Sequence, residues 1–127
     1  FRNSVPKSEV FKFILASNVG TSVLKNIDTF KTIYSNKTFD YMSCKIPILM
    51  IIDGVSRELI EESRAGIYVE PENTKSILEG INILTSMNKN ELQIMGNAGY
   101  EYSKKHFDRV SLAKNYIKKL QTFNNIS

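Results

Sequence analysis

A chain of 127 residues with 17 Lys plus Arg, 13 Asp plus Glu, one His, one Cys and no Trp carries a net charge of +4, and 42% of it is hydrophobic. Those values fit one globular domain with a modest core and exclude collagen-like, coiled-coil and disulfide-framework chains. The lone Cys44 fits a reducing compartment, no signal peptide is visible, and the longest apolar run, residues 46–52, falls far short of the roughly 18 residues of a membrane span.

The first residue is Phe1 rather than Met, so the chain is expected to be part of something longer. Residues 8–16 (SEVFKFILA) follow Pro6 and set Val10, Phe11, Ile14 and Leu15 at helical spacing, with Ser8 as the expected N-cap. Residues 19–24 (VGTSVL) are β-branched and alternating enough to be a strand. A polar loop over residues 25–34 exceeds the usual connection of about 2–6 residues in α/β units, and long loops in such folds often carry function. A helix is expected from Ser35 or Asn36 to about Cys44, with Phe39, Tyr41 and Met42 as core positions.

The uniformly apolar run of residues 46–52 (IPILMII) suits a parallel strand covered on both faces. Asp53-Gly54 makes a turn into a helix over residues 56–62, capped by Ser56 and carrying Arg57, Glu58 and Glu61 on a solvated face. Residues 66–69 (GIYV) form another short strand, with Gly54 and Gly66 serving turns. Asn73 or Thr74 opens a helix through Ile77, Leu78, Ile81 and Leu84, and further helices are expected over residues 89–106 and 109–120. This alternation is the mark of an α/β fold with right-handed crossovers. It predicts a partial Rossmann-like parallel sheet of about three strands flanked by helices over residues 1–120, with a frayed tail at 121–127. The strand at 19–24 is expected to leave an uncovered edge that favours self-association.

The basic residues do not form a block. Lys104, Lys105, Lys114, Lys118 and Lys119 gather near the C-terminus and the rest are interspersed with acids, which reads as solvated helix faces and leaves a membrane surface open as a partner. No zinc spacing and no aromatic RNA-binding signature occurs, so nucleic acid is not an expected partner. One His excludes His-rich metal sites. His106 reads as a cap or packing residue, and Cys44 lacks the paired His a nucleophile needs.

Three segments carry a resemblance when taken together: SNKTFDYM, AGIYVEPEN and YEYSKKHFD. They resemble the S-K-x-F-E-Y-M, A-G-x-x-V-x-P-x-D and Y-x-x-x-x-F-S patterns of the retaining family 4 glycosyltransferases. The similarity runs over essentially the whole chain and corresponds to the C-terminal half of the nucleotide-sugar-binding domain, the second domain of a GT-B fold.

The resemblance implies that Asp40 stands where the family commonly has the second glutamate of its Glu-x7-Glu motif, which hydrogen-bonds the ribose hydroxyls. A carboxylate can accept from two neighbouring hydroxyls at once, though Asp is one methylene shorter than Glu. Thr32 occupies the position of the first glutamate and carries no charge. Ser35, Asn36 and Lys37 would offer a diphosphate the helix N-terminus and a point charge. Taken as residues alone, Ser35 or Asn36 serves equally as a plain N-cap with Lys37 in solvent. Val5 and Pro6 fall in the loop where the family presents backbone groups to the base, and equally read as a turn leading into the first helix.

By this resemblance the chain binds a UDP- or GDP-sugar for transfer to a hydroxyl acceptor in surface polysaccharide or glycolipid synthesis. The family generally needs no catalytic metal, and no cofactor is expected beyond the nucleotide-sugar substrate. The location implied is cytoplasmic, peripheral at the inner face of the membrane. The N-terminal acceptor domain is missing, and the chain alone is expected to be inactive as a transferase. A different class of function, a non-catalytic nucleotide- or partner-binding module that completes its sheet with another chain, fits the same residues.

Overall fold

The structure, a computed structural model, describes residues 3–124. Three parallel strands, β1 (Gly20–Val23), β2 (Ile48–Ile51) and β3 (Gly66–Tyr68), form one sheet in the order β1-β2-β3. Register places Gly20 and Ser22 beside Ile48 and Met50, and Thr21 and Val23 beside Leu49 and Ile51. Successive strand side chains point to opposite faces, so β2 needs apolar residues throughout, and all four of its residues are buried. Burying each such side chain contributes about 2 kcal/mol.

Two clusters fill the faces. On one, Met42 from α2 (Asn36–Ser43) and Leu59 and Ile60 from α3 (Val55–Ser63) meet Ile48, Met50 and Ile52. On the other, Leu84 from α4 (Thr74–Ser86) meets Leu49, Ile51 and Val69. The long α5 (Lys89–Phe107) serves both, giving Leu92 and Met95 to the second cluster and Tyr102 and Phe107 to the first. Gly96 and Gly99 let it pass close: a Cβ at 96 would strike the Lys45 carbonyl, and one at 99 would lie 2.7 Å from the Ala65 Cβ.

The element order matches the sequence reading, with local differences that have physical causes. Helix α1 (Lys7–Leu15) starts ahead of the expected cap Ser8, because Pro6 presets φ near −56° and its carbonyl accepts the Glu9 amide at 2.9 Å. Helix α3 begins at Val55 behind Gly54, whose φ is +77°. Ser56, the expected cap, is fully buried and donates instead to the Ile33 carbonyl at 3.3 Å. Gly66 lies inside β3 and not in a turn, where a Cβ would collide with the Ile48 carbonyl. The loop of residues 25–34 holds a five-residue 3-10 helix, Asp28–Thr32.

The expected cap Asn73 is observed, accepting from the Ser76 amide at 3.0 Å. A capping box not foreseen from sequence, Asn88 with Glu91, opens α5. Helix α6 (Arg109–Asn124) continues past residue 121, where the frayed tail was expected, and residues 125–127 lie outside the described part. β1 stands at the edge of the sheet, as its sequence suggests, and Val23 on it is 56% exposed. Among the described residues no helix is long and apolar enough to cross a membrane.

Candidate functional site

The site is built on the start of α2. Helical geometry turns Thr38 and Met42 inward, both at 0% exposure, and turns Asn36, Lys37 and half-buried Asp40 outward on one face. Ser35 sits at the cap position with extended backbone and makes no side-chain cap bond. Its carbonyl accepts the Thr38 amide at 3.0 Å. The amides of Asn36 and Lys37, at the head of the helix, have no intrahelical acceptor.

What holds this helix in place lies beneath it. Thr38 Oγ1 and Ser22 Oγ are 3.0 Å apart and buried, tying the first turn of α2 to β1. Gly20 lets the Tyr41 ring lie directly on the strand, since a Cβ there would stand 2.6 Å from the ring carbons. The Tyr41 hydroxyl donates to the Thr21 carbonyl at 3.4 Å. Tyr34, immediately before the cap, packs edge-on against Phe39 and Phe107.

Two cavities flank the exposed face of α2. One, of about 510 Å³, is lined by Val5, Thr21, Lys37 and Tyr41. The other, of about 610 Å³, is lined by Lys7, Asn36, Asp40, Lys104 and Arg109. The start of α1 and the residues before it therefore reach both, with Val5 on one side and Lys7, the first residue of α1, on the other. Of the residues singled out in the sequence, Val5 and Lys37 share the first cavity, and Asn36 and Asp40 the second. Ser35 and Pro6 line neither; they act as the cap positions of α2 and α1.

Sequence reasoning missed Lys7, Thr21, Tyr41, Lys104 and Arg109 as cavity residues. Lys7 had a signal, since it adjoins Pro6. Tyr41 had none, because its helical spacing with Phe39 and Met42 is also that of a core residue.

A second polar group lies at the C-terminal ends of β2 and β3. Arg57 Nε donates to Glu61 Oε1 at 2.8 Å, its Nη1 is 3.9 Å from Asp53, and its guanidinium lies 4.5 Å from the Tyr68 ring centroid. The Glu61 bond raises the Arg57 pKa. Burial, reinforced by Asp53, pushes up the Tyr68 phenol. Arg57, Glu58 and Glu61 stand on an exposed face of α3, the solvated face expected of them, and the Arg57 guanidinium reaches off that helix to Tyr68 of β3. Elsewhere, His106 stacks on Tyr102 with centroids 4.2 Å apart, a packing role. Cys44 closes the opposite end of α2.

The backbone superposes on a solved sucrose-phosphate synthase from Thermosynechococcus elongatus with a TM-score of 0.69 over 91% of this chain, at 15% sequence identity. The chain has the fold of part of a GT-B glycosyltransferase. It covers 27% of that synthase, a much larger protein. The three-stranded parallel sheet flanked by helices expected from the alternation of elements, and the GT-B-like fold implied by the three motifs, are therefore the observed ones. No family model and no curated protein sequence matches the chain.

Proposed function

We propose that the chain is the C-terminal part of the donor-binding domain of a retaining glycosyltransferase and binds the nucleotide of a UDP- or GDP-sugar. One observation carries this: the segment holding Val5 to Lys7 and the head of α2, some 30 residues apart in sequence, flank the same exposed helix face through two adjoining cavities. In this reading the Asp40 carboxylate accepts the ribose hydroxyls. The uncapped amides of Asn36 and Lys37, the helix dipole and the Lys37 ammonium hold the diphosphate. These groups favour the charge that builds on the leaving phosphate as the sugar departs. Backbone groups of Val5 face the base, and Pro6, whose carbonyl accepts the Glu9 amide, turns the chain behind it.

Transfer itself needs an acceptor domain, so the chain alone is proposed to bind donor without turnover. Turnover by the purified chain would contradict that part of the proposal. The acceptor belongs to surface polysaccharide or glycolipid synthesis at the cytoplasmic face of a membrane. The acid-free helix α6, with Lys114, Lys118 and Lys119, supports that placement.

The test is a titration of the chain with UDP and GDP, followed by two-dimensional amide NMR, in parallel with Asp40→Ala. Saturable shifts over residues 35–40, about tenfold weaker in binding after the substitution, are expected. A folded chain whose amides ignore both nucleotides would refute the reading. The open edge of β1 and the exposed Val23 favour a second reading, a module that completes its sheet with another chain. That reading would then take first place.

A further inference from the structure

Helix α2 begins without the device that normally fixes a helix start. Its N-cap Ser35 makes no side-chain bond to the first turn, and the ten residues before it contain no α-helix or strand, only the short 3-10 helix Asp28–Thr32. Yet the proposed donor site needs the amides of Asn36 and Lys37 aimed at one point. Two aromatic rings from outside the helix, Tyr34 and Phe107, close on Phe39 within it and supply a clamp. Tyr34 lies 5.6 Å from Phe39 at 75° and 5.8 Å from Phe107 at 76°, and Phe39 lies 5.0 Å from Phe107 at 60°. Each pair is edge-on, the arrangement that the ring quadrupoles favour.

The three rings come from different places. Tyr34 is the last loop residue before the cap, Phe39 is on α2, and Phe107 is the final residue of α5. Tyr34 is 44% exposed, so burial alone does not hold it, and ring-to-ring geometry does more of the work than it would in a core. Phe107 also stands one residue before the turn into α6, at Asp108.

We infer that Tyr34 and Phe107 are positioning residues: with Phe39 they clamp the head of α2 to the end of α5 and thereby set the aim of the diphosphate-binding amides. This rests on the donor-site reading given above, and it makes the corner between α5 and α6 part of the frame of the site.

Tyr34→Ala removes two of the three ring pairs, while Tyr34→Phe keeps the ring and deletes only the hydroxyl. Hydrogen exchange on the unliganded chain reads the clamp directly. In Tyr34→Ala the Thr38 amide is expected to lose about tenfold in protection, the order of two aromatic pairs, with the β2 amides unchanged. Tyr34→Phe is expected to match the parent chain, and Phe107→Leu to resemble Tyr34→Ala. UDP or GDP affinity, read by the same NMR titration, should fall in Tyr34→Ala and Phe107→Leu and hold in Tyr34→Phe.

Protection lost equally in α2 and β2, or not lost at all, would overturn the clamp. Parent-like nucleotide affinity in Tyr34→Ala would overturn its link to the site. If the parent chain binds neither nucleotide while Thr38 still loses protection selectively, the donor-site reading falls and the clamp alone survives.

Discussion

Replacing Thr38 with Val tests what seats α2 on the sheet. The Thr38 and Ser22 hydroxyls are 3.0 Å apart and both residues are 0% exposed. Valine keeps the shape of threonine and deletes the hydroxyl, so Ser22 Oγ is left in an apolar site without that partner. A buried polar group stripped of its partner costs about 1–3 kcal/mol, more than the net worth of about 1 kcal/mol for the bond itself. With a urea slope of about 1–3 kcal/mol per molar, the unfolding midpoint should fall by about 1 M. Adding Ser22→Ala removes the orphaned group as well. The double variant is therefore expected to be no less stable than Thr38→Val alone, which a double-mutant cycle in urea reads directly. If the costs of the two single variants simply add, the hydroxyls do not depend on each other, and the account of how α2 is seated is wrong.

Gly54 has φ +77°, and a Cβ there would collide with the Lys31 carbonyl; Gly54→Ala should cost about 2 kcal/mol or more, visible as a fall in Tm of about 6 °C. Tyr102 donates to Glu62 Oε2 at 2.6 Å, and this bond, ahead of burial, pushes its pKa up to about 12 from 10.0. The native state therefore holds that proton more tightly than the unfolded chain. The resulting stability is complete below pH 10 and drains away as pH rises through about 12. Glu62→Gln should bring the late-ionising phenol back toward 10.0 in an absorbance titration, and a titration that it leaves unaltered would contradict the assignment. Gly20→Ala puts a Cβ 2.6 Å from the Tyr41 ring. The ring must swing out, breaking the bond to the Thr21 carbonyl, at about 1–3 kcal/mol. Amide shifts at Lys37, which shares its cavity with Tyr41, should accompany the loss.

The sheet was legible because its signals are local. Ile48, Leu49, Met50 and Ile51 announce a strand buried on both faces, and they are buried. Asn73 announces the start of α4, and its side chain accepts from Ser76 as that residue type in that place suggests. What sequence misread depends on contacts far along the chain. Ser56 has the chemistry of a cap but bonds to Ile33, 23 residues away. Gly66 looks like a turn residue but is glycine because β3 runs against the Ile48 carbonyl. Asn88 and Glu91, by contrast, make a capping box from residues only three apart, a signal as local as that of Asn73. For the site, motif resemblance pointed to the exposed residues of α2. It could not show that Lys37 and Asp40 lean into different cavities, because that follows from the 100° step between neighbouring helix positions and from what stands on each side.

The residues that aim the site are not the ones that would touch a ligand. Asn36, Lys37 and Asp40 are exposed or half-buried, and nothing in their own chemistry fixes where they stand. The helix that carries them is seated by small residues on the α2-facing side of β1, Gly20 and Ser22, which let it approach until a tyrosine ring covers one and a threonine hydroxyl meets the other, while the ring cluster of Tyr34, Phe39 and Phe107 holds its head. Bulkier residues at those two positions would push α2 outward as a unit and carry all three outward-facing residues with it. A ligand site on an exposed face can thus be lost through substitutions in a buried strand that leave every contacting residue intact.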